Sequence, residues 1–203
     1  MSTEIPAKLV KALRDATGAG MMECKAALQE ANGDLEAATL ILRKRGLAQA
    51  AKKSGRATSE GLIGSYIHAG GKIGVLVELN CESDFVARTD DFQTLLREIA
   101  LQVAAANPQY VGREEVPADI IEREKSVYRA QMENSGKPAN VLDKIIEGKL
   151  GSFYSQFVLL DQPSIRDGSV TVSQIVAQAT AKTGENIQIG RFVRYRMGEG
   201  AEA

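Results

Sequence analysis

The chain of 203 residues is long enough for one medium domain, or for a small module joined to a larger one. Its composition, 44% hydrophobic and 25% charged residues, is typical of a folded protein and excludes extended disorder. A net charge of -1 argues against a protein built mainly to hold nucleic acid.

Charge is divided unevenly along the chain. Up to Thr58 there are ten Lys and Arg against six Asp and Glu, whereas the remainder has fifteen against twenty. The difference indicates two parts with different surfaces, and an acidic partner for the first. No apolar run approaches the ~20 residues that cross a bilayer, and the N-terminus lacks the apolar core of a signal peptide. We therefore expect a cytoplasmic protein, without membrane contact, in which Cys24 and Cys81 are reduced and buried.

The first 54 residues predict a bundle of three helices. Apolar residues at helical spacing, starting at Ile5, predict a first helix that ends at Thr17-Gly18-Ala19-Gly20. A second helix is expected from about Met22 to Ala31. Asp34 is placed to cap a third helix, for which Gly46 is expected as the glycine just past its end. A further helical stretch then continues to Lys53.

The pattern next changes to strands. The polar segment from Ser54 to Gly61 is interpreted as a domain boundary. Two β-rich runs, Leu62–His68 and Ile73–Leu79, are joined by Ala69-Gly70-Gly71-Lys72, which predicts a hairpin. A long helix is expected from Asp90 to Ala106, because its apolar residues form one stripe.

The second half predicts more helices and a closing strand. Helices of roughly 117–133 and 139–157 flank Gly136-Lys137-Pro138 and predict a protruding antiparallel helical hairpin. A helix over Thr171–Thr183 and a strand from Ile187 to about Met197 follow, the strand completing a small antiparallel sheet. The predicted fold is α+β, with a three-helix module in residues 1–54 and an α+β core with the helical hairpin in residues 55–203.

Residues that could carry catalysis are few. His68 is the only histidine, so it cannot build a metal cluster, and no Ser or Cys motif suggests that it acts as a base. The Gly18–Gly20 turn lacks the spacing of a phosphate-binding loop. We therefore expect neither an enzyme nor a bound metal or cofactor.

Two other segments allow more than one interpretation. Glu82-Ser83-Asp84-Phe85-Val86-Ala87-Arg88 follows the second strand directly, so Asp84 and Phe85 should lie in a strand-to-helix turn. Phe85 could fold back onto the core, or it could stay exposed and enter a pocket of a partner. The basic stretch Ala50–Arg56 is either a solvated helix end or a weak nucleic-acid site, and it has no aromatic platform.

Several short motifs in one order resemble the elongation factor Ts family along nearly the whole chain. The resemblance is carried by the following segments: Leu13-Arg14-Asp15-Ala16-Thr17-Gly18-Ala19-Gly20-Met21-Met22-Glu23-Cys24-Lys25, Asn32-Gly33-Asp34, Ala50-Ala51-Lys52-Lys53, Asn80-Cys81-Glu82-Ser83-Asp84-Phe85-Val86-Ala87-Arg88, Gly136-Lys137-Pro138 and Gly184-Glu185-Asn186. Ser83 stands where the family more often has threonine, and it keeps the hydroxyl group.

The resemblance implies a function in translation: exchange of guanine nucleotide on elongation factor Tu. It implies that an N-terminal module of the ubiquitin-associated type docks on the GTPase domain, through Arg14, Gly18, Ala19, Gly20, Met21 and Met22. It also implies that Ser83, Asp84, Phe85 and Val86 form the segment that displaces Mg2+ and wedges the aromatic ring into the GTPase domain.

The length of the chain has a further implication. Long members of the family carry a duplicated core, whereas this chain has one hairpin, which resembles the second copy of long members but is followed by the Asp84-Phe85 motif of the first. Short members of this kind are understood to act as homodimers, and His68 would then contact another domain of elongation factor Tu. The alternatives are a ubiquitin-associated-like adaptor for another protein, an enzyme, and a nucleic-acid-binding protein. The last would bind RNA with a steep dependence on salt.

Overall fold

A computed structural model describes residues 5–132 and 138–199 of the chain. The described residues divide into two compact units, each assembled from separated segments. The first unit contains the residues up to Ile63, Glu78–Leu96 and Gln174–Ile189, and the second contains Gly64–Val77, the described part of Arg97–Ser173 and the residues from Gly190. The predicted module of residues 1–54 lies within the first unit. A boundary at residue 54 stays a prediction.

Three helices open the first unit, as the sequence predicts: α1 (Ala7–Thr17), α2 (Met21–Glu30) and α3 (Leu35–Lys53). Their apolar faces meet in a core of seven buried residues, namely Ile5, Val10, Leu13, Cys24, Ala27, Leu28 and Ala38. Gly18 ends α1 at a φ of 69°, and its N–H donates to the Arg14 carbonyl. Asp34 caps α3 through Oδ1, which accepts from the N–H groups of Glu36 at 2.8 Å and Ala37 at 3.0 Å.

The predicted end of the third helix at Gly46 is wrong. α3 continues through this residue to Lys53. Gly46 is buried, and a Cβ built on it would lie 3.6 Å from the Cβ of Ala181. Gly46 therefore lies inside a helix and faces another helix of the same unit, at a distance where a Cβ would make an ordinary contact, and it does not mark a helix end.

The three strands form one antiparallel sheet in the order β1 (Glu60–Ile67), β2 (Ile73–Cys81) and β3 (Gln188–Arg196). In β2 every second residue is buried: Val75, Val77, Leu79 and Cys81. The hairpin between β1 and β2 turns at Gly70 and Gly71, whose φ values of 89° and 69° suit glycine. The predicted hairpin and closing strand are confirmed.

The remaining helices are α4 (Asp84–Ala87), α5 (Asp90–Ala106), α6 (Ala118–Met132), α7 (Ala139–Phe157) and α8 (Val172–Thr183). α5 has the predicted bounds. Within the second unit, α6 and α7 pair along their length: Lys149 Nζ donates to Gln131 Oε1 at 2.6 Å and lies 5.2 Å from the centre of the Tyr128 ring. Both predicted helices of the hairpin are confirmed, whereas Glu133 and the Gly136–Lys137 part of the predicted break lie outside the described residues. The α+β fold class is confirmed.

Candidate functional site

The turn between β2 and α4 brings polar and apolar side chains to the surface of the first unit. Ser83 has an extended backbone, with φ -136° and ψ 154°, and its Oγ accepts from the N–H of Val86 as the N-cap of α4. The helix itself has only four residues, Asp84–Ala87. So short a helix has almost no stability of its own. Its position therefore depends on the contacts of the residues on either side.

Phe85 is the most exposed aromatic residue of the described chain, at 76%. The interpretation in which Phe85 folds back onto the core is therefore wrong. The buried residues of α4 are instead the next two, Val86 and Ala87, which are 5% and 3% exposed. These two small apolar side chains anchor the helix and direct the Phe85 ring toward solvent.

Asp84 lies next to this ring and is also exposed. Its Oδ2 accepts from Arg88 Nη2 at 2.6 Å, an ion pair one helical turn apart whose side chains are 62% and 78% exposed. Such a pair contributes little to stability, because both partners are solvated. The Asp84 carboxylate can therefore leave Arg88 for another partner at little cost in free energy. Val86 is buried, so it offers no surface to a second protein in this conformation.

The turn is held by residues that follow α8, more than a hundred positions later. The Glu185 carboxylate accepts hydrogen bonds from the N–H groups of Glu82 and Ser83, at 3.2 and 3.0 Å, and from the Ser83 hydroxyl at 2.6 Å. The Glu82 carboxylate accepts in return from the N–H of Asn186 at 2.6 Å. No local pattern in the sequence predicts these contacts, because the residues that form them lie far apart along the chain.

Ionisation of the residues around this turn follows from the same contacts. The hydrogen bond from the Asn186 N–H, assisted by Arg56, lowers the pKa of Glu82 from its ordinary value of 4.5. Burial, and the nearby charge of Glu185, raise the pKa of the Cys81 thiol. Cys81 is therefore a poor nucleophile. Both Cys81 and Cys24 are buried free thiols, as predicted.

The second set of predicted site residues surrounds the turn between α1 and α2. Arg14, Gly18 and Gly20 are exposed. Met21 is 45% and Met22 is 76% exposed, although both belong to a helix that buries Cys24. The Gly20 N–H donates to Glu23 Oε2 at 3.2 Å and so begins α2. This part of the chain therefore exposes two methionines and an arginine, residue types typical of protein-binding surfaces.

His68 lies in the second unit, at the end of β1. Its Nδ1 is 3.0 Å from the Tyr66 hydroxyl, and its ring is exposed. Across the described residues, no group of three or more His, Cys, Asp and Glu side chains could hold a metal ion. The contact of His68 with a partner stays a prediction.

The basic stretch at the end of α3 is partly engaged inside the first unit. Arg56 Nη1 lies 3.4 Å from Glu82 Oε1, and the backbone carbonyls of Ser54 and Arg56 accept from the Asn186 side chain. These contacts favour a helix end fixed to its own unit, and a nucleic-acid site here has no support from them. No helix among the described residues is long and apolar enough to cross a membrane.

Comparison with known proteins gives one consistent result. The family profile described as Elongation factor TS matches residues 36–199. A protein named elongation factor Ts from Fervidobacterium nodosum is 63% identical over 196 residues, which cover 97% of this chain and 100% of the relative. Relatives of the same name from Coprothermobacter proteolyticus and Carboxydothermus hydrogenoformans are 60% and 56% identical over 97% of this chain, and are themselves covered to 100% and 90%.

Proposed function

The chain belongs to the elongation factor Ts family of translation elongation, and on this premise we propose that it is a guanine-nucleotide exchange factor that releases GDP from elongation factor Tu. The observation that carries the mechanism is the 76% exposure of Phe85 on a turn whose next two side chains, Val86 and Ala87, are buried. A chain with this role works in the cytoplasm, where translation takes place. It makes and breaks no covalent bond, and therefore needs no catalytic residue.

Exchange requires only a difference between two affinities. The factor must bind the nucleotide-free GTPase more tightly than the GDP-bound form, and linkage makes the effect reciprocal. Changing the ratio of nucleotide-free to GDP-bound GTPase from 1:99 to 99:1 takes a difference in binding free energy of about 5.5 kcal/mol. One buried aromatic ring supplies a part of this free energy, and a broad docking surface supplies the rest.

We assign the wedge to Phe85 and the displacement of Mg2+ to the turn beside it. An exposed ring with anchored neighbours can enter a pocket without first leaving one of its own, so its burial is a net gain for the complex. Asp84 brings a carboxylate close to the ring, and its ion pair with Arg88 is solvated and cheap to break. A carboxylate competes for a hard cation such as Mg2+ or repels the phosphates that the cation bridges.

Docking is assigned to the turn between α1 and α2. Arg14, Gly18, Gly20, Met21 and Met22 are all exposed, and together they offer a cation and two apolar side chains to a partner. The surplus of Lys and Arg in the first 58 residues suits an acidic partner surface and would accelerate the encounter. We assign RNA no part in binding.

A second copy of the chain is the proposed partner of the sheet. In the second unit one face of the strands and the adjoining residues exposes apolar side chains, namely Ile67 at 66%, Leu76 at 47%, Val193 at 36%, Tyr195 at 71% and Met197 at 75%. A contiguous apolar sheet face of this kind is typical of an interface. Its pairing with the same face of another copy gives a two-fold dimer, in which two chains supply two docking surfaces and His68 contacts elongation factor Tu.

The release of a fluorescent GDP analogue from elongation factor Tu tests the function directly. The rate should rise with the concentration of this chain and saturate, and the acceleration should shrink in EDTA because the Mg2+ is then already absent. An undiminished acceleration in EDTA would refute only the displacement of Mg2+ and would leave the exchange function standing. No acceleration in Mg2+ buffer would refute the exchange function and favour an adaptor for another protein.

A further inference from the structure

A single carboxylate satisfies the hydrogen-bond donors of the turn that presents Asp84 and Phe85. Glu185 Oε2 accepts from the N–H groups of Glu82 and Ser83, at 3.2 and 3.0 Å. Glu185 Oε1 accepts from the Ser83 hydroxyl at 2.6 Å. The Ser83 oxygen in turn accepts from the N–H of Val86 at 3.4 Å. The start of α4 is thus connected to Glu185 by a continuous chain of hydrogen bonds.

These bonds matter because α4 cannot fix its own direction. A four-residue helix leaves most of its N–H groups without intrahelical acceptors, and the side-chain pair between Asp84 and Arg88 is local to the helix and exposed. Hydrogen bonds to an ionised carboxylate are roughly twice as strong as those between neutral groups. Loss of this carboxylate would leave the donors of the turn without their protein acceptor, and the buried side chains of Val86 and Ala87 would then hold the turn alone and more loosely.

Glu185 is itself held before any partner arrives. Gly184 ends α8 with a φ of 80° and donates its N–H to the Thr180 carbonyl at 3.0 Å. On the other side, the Asn186 side chain donates to the carbonyl of Arg56 at 2.9 Å. The loop that carries Glu185 is thus fixed to α8 at one end and to the segment after α3 at the other, all within the first unit.

We propose that Glu185 is a positioning residue for nucleotide exchange: its carboxylate holds the Ser83 turn in the conformation that presents Phe85 to elongation factor Tu. The part that concerns exchange rests on the proposed function, whereas the part that concerns the turn does not. Glu185→Gln is the conservative variant, because its amide oxygen can accept from the two backbone N–H groups while its NH2 donates to the Ser83 hydroxyl oxygen. Glu185→Ala removes every one of these bonds.

The first measurement needs no partner. In the amide NMR spectrum of the isolated, isotope-labelled chain, the Glu82 and Ser83 signals should move upfield in Glu185→Ala, since their protons lose a charged acceptor. The signals of α1 and α2 should stay in place. The control is Glu122→Ala, which removes a carboxylate paired with Lys125 at 2.6 Å on α6 and should leave both turn signals unmoved. Unchanged Glu82 and Ser83 signals in Glu185→Ala would overturn the proposal.

The second measurement is GDP release from elongation factor Tu. In Glu185→Ala the saturating release rate should fall about tenfold, with the half-saturating concentration changed much less because the docking surface is intact. Glu185→Gln should recover most of the rate. A saturating rate for Glu185→Ala within about twofold of the unchanged chain, or an equal loss in the Gln variant, would overturn the positioning role. If the unchanged chain fails to accelerate release, the exchange function is refuted, and the NMR result still decides what Glu185 does for the turn.

Discussion

Truncation of Phe85 to alanine should separate binding from folding, because the side chain is exposed in the free protein. Full burial of a Phe side chain contributes about 1.5–3 kcal/mol. Because Phe85 is 76% exposed in the free protein, about three quarters of that, roughly 1–2 kcal/mol, is gained only on contact with a partner. Phe85→Ala should therefore slow the release of GDP roughly five- to thirtyfold, since about 1.4 kcal/mol corresponds to a factor of ten.

The stability of the free protein should hardly change. An exposed side chain has few contacts to lose, and alanine suits a helix better than phenylalanine does, so the free energy of unfolding should stay within about 0.5 kcal/mol. The assay is stopped-flow release of a fluorescent GDP analogue from elongation factor Tu, with thermal unfolding of the same samples beside it. Phe85→Leu should be intermediate in release rate, because it keeps part of the apolar surface.

The matched control is Ile165→Ala, which truncates another exposed apolar side chain, 43% exposed, in the second unit. It should leave the release of GDP unchanged. Two results would refute the reasoning about Phe85. Release at the unchanged rate in Phe85→Ala would mean that the ring is not buried on elongation factor Tu. A decrease in the free energy of unfolding as large as the change in activation free energy for GDP release would mean that the ring stabilises the fold.

Three further outcomes are expected from the structure. Gly46→Ala should raise the free energy of unfolding by about 0.5–1 kcal/mol, because the residue is inside a helix and the added methyl group would lie at an ordinary 3.6 Å from Ala181; destabilisation in chemical denaturation would contradict this placement. Because the Asn186 N–H lowers the pKa of Glu82, the stability from this contact is complete above the ordinary value of 4.5 and is lost as the pH falls below it. As the pH falls, the free energy of unfolding from denaturation curves should therefore decrease less in Glu82→Gln than in the unchanged chain. An equal decrease in both would contradict this role of the Glu82 carboxylate. Tyr195→Asp should shift the mass in sedimentation or light scattering from dimer to monomer, and a dimer that persists would remove the sheet face from the interface.

The sequence alone was sufficient for elements with a long, regular pattern. α5 has the predicted bounds, Asp90–Ala106, because its stripe of apolar residues repeats over several turns and Asn107-Pro108 cannot continue a helix. The hairpin of β1 and β2 was predicted for a similar reason, since two apolar runs flank a pair of glycines. Local patterns decide such elements before any distant contact does.

Positions decided by distant contacts could not be predicted. The sequence predicts a helix end at Gly46 because a glycine is a local signal, whereas the packing of Gly46 involves Ala181, far along the chain. The direction of Phe85 depends on which neighbours fill the core, and spacing does not distinguish Phe85 from Val86. The contact between Glu185 and Ser83 joins residues 102 positions apart, and neither residue type is unusual for an exposed turn.

The exposure of Phe85 and the hydrogen bonds of Glu185 are two parts of one physical requirement. A large apolar side chain on a loose turn would lose conformational freedom when it enters a partner, and that loss would offset much of the free energy of its burial. A turn whose hydrogen-bond donors are already satisfied has lost this freedom on folding. More of the free energy of burying the ring therefore contributes to the binding free energy. This low entropic cost of binding matters for an exchange factor, because the factor must compete with a tightly bound nucleotide and must still be released when the next nucleotide binds. If Phe85 acts as we propose, we therefore expect the contacts that order the turn in the free chain to affect exchange as well as the ring itself.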